Sequence, residues 1–140
     1  MKKMKLLIVD DEPALCKVLS DRLAVLYDIA PDVCHNGVEA LEKIAAADYD
    51  VVVLDIEMPA MDGMETLKKI KKMKPTTQVV MFTGHSTDDR RSLAKTLGAF
   101  NYVDKIDGMY KLAPMIEGAF QLRKALEDAY TDVALNEYSR

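Results

Sequence analysis

The sequence predicts an α/β fold in which five parallel strands form a doubly wound sheet covered by helices on both faces. Three observations predict it. Apolar runs of strand length recur at residues 5–9, 29–34, 51–54, 79–82 and 100–103. Segments with helical spacing of apolar residues separate them, at about 13–27, 37–47, 63–73, 87–97 and after 107. The first, third and fourth runs lack polar alternation, as strands buried on both faces do. Alternation of this kind calls for parallel strands joined by right-handed helical crossovers, here a (βα)5 chain.

Taken in order, the first strand ends on the doublet Asp10-Asp11, and the first helix opens with Glu12 and Pro13, proline being tolerated in a first turn. Asp11 is a candidate cap for that helix. The second run, IAPDVC, contains a proline and an acid, which suit an edge strand. An edge position favours the strand order 2-1-3-4-5, the flavodoxin-like arrangement, whose ligands bind outside the carboxyl ends of the first and third strands. Asn36-Gly37 then turns the chain into the second helix.

The third strand, VVVL, runs straight into Asp55. In the loop that follows, Pro59 and Gly63 shape the turn into the third helix, with Met58, Met61 and Met64 packing adaptably beneath it. Lysines crowd the last turns of that helix, where cations complement its negative end, and Pro75 closes it. The fourth strand ends Phe82-Thr83-Gly84 and the fifth Tyr102-Val103-Asp104-Lys105. Asp107 is a candidate cap for the last helix, but Pro114 disfavours helical geometry at Ala113, which predicts a short turn near 108–112 and a main helix from about 113. Leu112, Ala119, Leu126 and Val133 recur every seven residues, with Met115, Leu122 and Ala129 between them. The pattern predicts an amphipathic extension, with a frayed tail and a helical linker or homodimer contact both open.

With 140 residues, no internal repeat and no Ser-, Gly- or Pro-rich linker, the chain reads as one domain over 1–124 and a helical extension over 125–140. No output domain is encoded in these residues, so the chain reads as a stand-alone unit or the front of a longer protein. Cys16 and Cys34 belong to no CxxC or Cys/His spacing and read as reduced packing residues, which points to the cytoplasm. The basic N-terminus is followed by an apolar run of only residues 6–9, too short for a signal peptide or a membrane span. Net charge is −4 and the lysine run at 68–74 lacks aromatic residues, which speaks against direct nucleic-acid binding.

If the first and third strands are neighbours, Asp10, Asp11 and Asp55 meet at one sheet edge and repel unless something offsets their charge. Carboxylate oxygens with room for water are what Mg²⁺ (or Mn²⁺) prefers, whereas softer metals want His or Cys. Thr83 and Lys105 project toward the same edge, and Gly84 leaves room for a donor to approach. A nucleophilic carboxylate, a divalent cation, a hydroxyl and an ammonium are what phosphoryl transfer needs.

Through LLIVDDEP, VVVLDIEMPAMDG, MFTGH and GAFNYVDK, the chain over about residues 4–124 resembles the response-regulator receiver domain of two-component signalling, chemotaxis receivers included. The resemblance implies that Asp55 is the phosphoacceptor, and that Asp10, Asp11, Asp55 and the backbone carbonyl of Glu57 hold Mg²⁺. It implies that Lys105 pairs with the phosphoryl oxygens and that Thr83 reorients to bond one of them. Tyr102 would swing into the space Thr83 vacates, remodelling the face of helix 4, strand 5 and helix 5, with Arg90, Arg91, Lys95 and residues near Tyr110. Tyr102 as a static strand residue is the alternative. Glu57 and His85 would tune dephosphorylation. Implied partners are a histidine kinase or histidine phosphotransfer protein and a downstream target or output domain. Such a chain is not an enzyme but a signalling phosphoacceptor that promotes its own phosphorylation and dephosphorylation.

One departure stands out. The family usually places proline after this lysine, and here Ile106 follows. A cis bond before a non-proline residue costs about 2.5–4 kcal/mol, so a trans bond is expected. The altered loop motivates an alternative, a receiver-fold interaction module that works without phosphorylation. A haloacid-dehalogenase-like enzyme would need a second Asp two residues past the nucleophile, where this chain has Glu57, and no Gly-rich phosphate loop is present.

Overall fold

The computed structural model describes residues 3–138, with side chains through residue 135. Strands β1 (Leu6–Val9), β2 (Asp32–Cys34), β3 (Val51–Leu54), β4 (Gln78–Thr83) and β5 (Asn101–Asp104) form one parallel sheet in the order β2-β1-β3-β4-β5. Helices α1 (Pro13–Tyr27), α2 (Gly37–Ala46), α3 (Gly63–Met73), α4 (Asp88–Thr96) and α5 (Gly108–Tyr138) make the crossovers. This is the flavodoxin-like (βα)5 architecture expected.

Strand side chains alternate between two cores. Leu7, Val9, Val52, Leu54, Val79 and Met81 pack with Ala40 and Ile44 of α2, Leu67 and Ile70 of α3 and Ala94 of α4. Leu6, Ile8, Val51, Val53, Val80 and Phe82 pack with Leu19 and Leu23 of α1 and Leu112, Ile116 and Ala119 of α5. Each fully buried Leu or Ile contributes about 1.5–3 kcal/mol. Both faces of β1, β3 and β4 are therefore spent on apolar contact, so polar groups can appear only at the strand ends.

The register fixes which ends meet. Val9 pairs with Leu54, and Leu54 with Met81. Asp10 and Asp55, the next residues of neighbouring strands, consequently leave the sheet side by side.

Three local expectations are corrected. The second strand begins at Asp32 instead of residue 29, because Pro31 has no N–H to give the ladder. Helix α1 is capped at Glu12, without a side-chain capping bond, and the Asp10 carboxylate takes the Glu12 N–H at 2.9 Å; Asp11 is not the cap. The last helix starts at Gly108 and runs unbroken through Pro114, where a short turn and a later start were expected. Starting there lets α5 bury Leu112, and the residue whose carbonyl loses a donor to Pro114, Tyr110, is 89% exposed and open to water. Asp107 pairs with Lys111 at 3.5 Å.

Helix α5 is fastened by a residue that sequence pattern alone does not single out. Arg123 is buried, and its guanidinium donates to the Tyr49 carbonyl at 2.8 Å and to Thr77 Oγ1 at 2.9 Å, while also pairing with Glu127. Past Arg123 the apolar seam continues on an exposed rod, with Tyr130 and Val133 largely in solvent. No helix among the described residues is long and apolar enough to cross a membrane.

Cys16 and Cys34 are both buried and free, as expected of packing residues. Burial first, with nearby carboxylates adding, pushes the Cys16 thiol up to about 11, and burial pushes Cys34 up to about 12. Neither thiolate forms at neutral pH, so both thiols are expected to resist a disulfide-forming reagent in the native protein and to react at once in denaturant. Rapid labelling of the native chain would contradict this packing.

Candidate functional site

The carboxyl edge of the sheet opens into a cleft of about 570 Å³ between the loops that follow β1, β3, β4 and β5. Asp55 lines it at 5% exposure, and Asp10, a second nearly inaccessible acid at 3%, lies next to it without lining the cleft. Lys105, in a 3-10 turn directly after β5, reaches across to both: Nζ lies 2.8 Å from Asp10 Oδ2 and 3.1 Å from Asp55 Oδ2. The same ammonium is 3.5 Å from Glu12 Oε1, a contact that spacing in the sequence does not reveal. No cis peptide bond occurs among the described residues, so Lys105 reaches the acids with a trans bond to Ile106.

The remaining oxygens are oriented by backbone. Asp10 Oδ1 accepts from the Glu12 N–H, and Asp55 Oδ1 accepts from its neighbour, the Ile56 N–H, at 2.7 Å. Burial opposes the Lys105 charge, but the hydrogen bond and charge of Asp10, and then those of Asp55, outweigh it and hold the ammonium above the usual lysine range. For Asp10 the balance tips the other way: burial raises its carboxyl above the ordinary value despite Lys105 and the Glu12 N–H. One cation facing two buried acids leaves negative charge in excess.

A divalent cation bound here would offset that excess. Asp10, Asp11 and the Asp55 carboxylate each present an oxygen, all within 4.8 Å of one another, and Asp11 is exposed toward solvent. The donor set is hard oxygen throughout, and the open cleft has room for water, which suits Mg²⁺ or Mn²⁺ over softer metals.

The other expected residues take distinct places. Thr83 ends β4 fully buried, its Oγ1 accepting from the His85 N–H at 3.5 Å. Gly84 borders the cleft, where an added Cβ would make only ordinary contact with Lys105, 3.9 Å away. Glu57 and His85 meet on the rim, with His85 Nε2 3.2 Å from Glu57 Oε2. Arg90 of α4 joins them, its guanidinium 3.4 Å from Glu57 Oε1 and donating to the His85 carbonyl at 2.7 Å. Tyr102 is 5% exposed and points inward, with its hydroxyl donating to that same carbonyl at 3.3 Å. Arg91 pairs with Asp104 and lies over the Tyr102 ring at 4.9 Å, whereas Lys95 and Tyr110 are exposed.

The loop after Asp55 is folded by glycine for want of space. A Cβ on Gly63 would lie 2.0 Å from the Asp55 carbonyl oxygen and 2.6 Å from Ile56 Cα. The Gly63 N–H donates to the Ile56 carbonyl at 2.7 Å, closing the loop against the strand end. Asp62, not among the residues expected at the site, lines the cleft and caps α3 through the Glu65 N–H at 2.9 Å. Its position before a helical run was a legible capping signal.

Comparison with known proteins gives consistent findings. A family model described as the response regulator receiver domain matches residues 6–117. The transcriptional regulatory protein ZraR of Klebsiella oxytoca is 32% identical over 138 residues, which cover 98% of this chain and 31% of that protein. A protein-glutamate methylesterase/protein-glutamine glutaminase of Geobacillus kaustophilus is 41% identical over 120 residues, 80% of this chain and 33% of its own length. The chain spans about a third of the length of these two relatives. Among solved structures, the signal receiver domain of a DNA-binding response regulator from Colwellia psychrerythraea has a TM-score of 0.77 at 27% identity, covering 85% of this chain and 99% of that one. A CheY-like receiver domain protein from Methanospirillum hungatei shares the fold, with a TM-score of 0.81 at 23% identity and coverage of 89% and 98%.

The Gly63 contact yields a direct test of how the loop after Asp55 is held. Gly63→Ala is expected to lower stability by about 2–3 kcal/mol in urea titrations, since the clash is with backbone that cannot rotate away. A variant as stable as the parent would mean that the loop is not packed this closely.

Proposed function

Because the chain belongs to the response regulator receiver family, we propose that it is a phosphorylation-dependent signalling switch with Asp55 as acceptor. The phosphoryl group would come from a phosphohistidine on a sensor kinase or histidine phosphotransfer protein. An Asp55 oxygen attacks phosphorus, the P–N bond breaks, and the departing imidazole takes a proton. The observation that carries this reading is the buried Asp10–Lys105–Asp55 arrangement, with its excess of negative charge at an open cleft.

Asp10, Asp11, Asp55 and the backbone carbonyl of Glu57 would hold Mg²⁺ or Mn²⁺. The cation, when bound, would offset charge on the phosphoryl oxygens. Lys105 turns from the carboxylates toward the new phosphoryl oxygens, and Thr83 reorients its hydroxyl to bond another. Phosphorylation adds about −1.5 to −2 charges, and movement of Thr83 bears on Tyr102 and the β4–α4 loop through the His85 backbone. The face of α4, β5 and α5 is the proposed output surface, and its target is a partner or output domain. Receiver domains are signalling domains, and the esterase activity named for the Geobacillus relative is that protein's own.

We assign residues 1–124 to the receiver and 125–140 to the extension, of which 139–140 lie outside the described residues. We place the chain in the cytoplasm, without direct binding to nucleic acid. The interaction-module reading rested on the missing proline after Lys105, and the reach of Lys105 to both acids weighs against it.

Incubation with Mg²⁺ and a small-molecule phosphodonor, followed by intact-mass measurement, tests the proposal. One labile phosphoryl adduct is expected on the parent and none on Asp55→Asn. An unmodified parent would sink the switch, and continuous consumption of donor would point to an enzyme.

The rim contacts bear on the adduct's lifetime. Losing the weak His85–Glu57 contact, worth about 0.5–1 kcal/mol, widens the path of water at the rim. His85→Ala is then expected to shorten the lifetime by a factor of about two to five. An unchanged decay rate would remove His85 from the mechanism.

A further inference from the structure

We infer that His35, in the loop between β2 and α2, is a positioning residue for Asp10 and through it for the divalent-cation site. The inference rests on the proposed metal site and adds a residue to it. Asp10 is anchored on every side. Its N–H donates to the Cys34 carbonyl at 3.2 Å, and its carboxylate is taken by the Glu12 N–H at 2.9 Å and Lys105 at 2.8 Å. Its own carbonyl lies 2.9 Å from His35 Nδ1 and accepts from the Cys16 thiol at 3.4 Å. A carbonyl oxygen only accepts, so Nδ1 is assigned as the protonated nitrogen.

The imidazole is aimed by the start of α2. Asn36 Oδ1 accepts from the Glu39 N–H at 2.8 Å, and Glu39 Oε2 accepts from the His35 N–H at 3.2 Å. This clamp holds the His35 backbone while its ring meets the carbonyl of Asp10, the residue after β1. The β2–α2 loop is thereby tied to a residue of the acidic cluster, although no His35 atom enters the cleft between Asp55 and Lys105.

The link matters because Mg²⁺ demands near-ideal ligand positions, and Asp10 must keep its oxygen within 4.8 Å of those of Asp11 and Asp55. Groups that orient a ligand from behind commonly govern metal affinity by about 10–100-fold. Here Cys34 and Cys16 share the task, so a smaller effect, about three- to tenfold, is expected. His35 is exposed while both cysteines are buried, so it can be replaced without opening the core.

The test compares the full chain with His35→Leu, which lacks the donor, and His35→Asn, whose amide nitrogen sits near the place of Nδ1. Mg²⁺ is titrated while the amide resonances of Asp10, Asp11 and Asp55 are followed, and thermal midpoints are measured alongside. The leucine variant is expected to bind Mg²⁺ about three- to tenfold more weakly and the asparagine variant within about twofold of the parent, all three unfolding together. With a small phosphodonor, the half-saturating Mg²⁺ concentration moves by the same factor while the rate at saturating Mg²⁺ does not. A leucine variant that titrates like the parent, or an asparagine variant as weak as leucine, overturns the role of His35 and leaves the proposed function standing. A parent whose resonances ignore Mg²⁺ overturns both.

Discussion

Two carboxylates buried side by side at the end of a parallel sheet constrain everything around them. An unpaired buried charge is costly, so each oxygen of Asp10 and Asp55 must find a proton donor or a cation. Backbone N–H groups of Glu12 and Ile56 take one oxygen each, and the Lys105 ammonium spans the other two. That geometry depends on the pairing of Val9 with Leu54, which depends in turn on apolar packing across both faces of β1 and β3. A slip of one residue would turn the apolar side chains to the wrong face and separate the acids.

The rim connects this acid pair to the surface through one backbone oxygen. The His85 carbonyl accepts from Arg90 of α4 and from Tyr102 of β5, while the His85 N–H bonds Thr83. A change at Thr83 therefore reaches a helix and a strand through a single peptide segment. Glu57 ties the loop after Asp55 to the same segment by way of Arg90 and the His85 ring. Packed elements linked in this way respond by shifting between arrangements more readily than by gradual deformation.

Much of the fold was legible because it rests on local pattern. Apolar run length, Pro31 in the second run and Asn36-Gly37 before α2 each act through near neighbours, and the strand order rested on the edge position of the second run together with the resemblance to receiver domains. The acids and Lys105 were legible because strand ends in a parallel sheet share an edge. What escaped was either long-range or a balance of competing effects. Nothing in spacing reveals that Arg90 meets Glu57, or that Arg123 reaches Tyr49, since loop conformation and helix rotation decide both. Pro114 was weighed by its local penalty, whereas burial of Leu112 on one side and Ile116 on the other carries the helix through it. Asp11 looked like a cap until the Asp10 carboxylate took the neighbouring N–H.

The two ends of α5 behave as different mechanical parts. Up to Arg123 the helix is pressed on the sheet and pinned to Tyr49 and Thr77. Beyond that pin it continues to Tyr138 as a rod about 20 Å long at 1.5 Å per residue. A rod pinned at one end is a lever with its fulcrum at Arg123. At that length a tilt of about 5° at Arg123 corresponds to a displacement of about 2 Å at Tyr138.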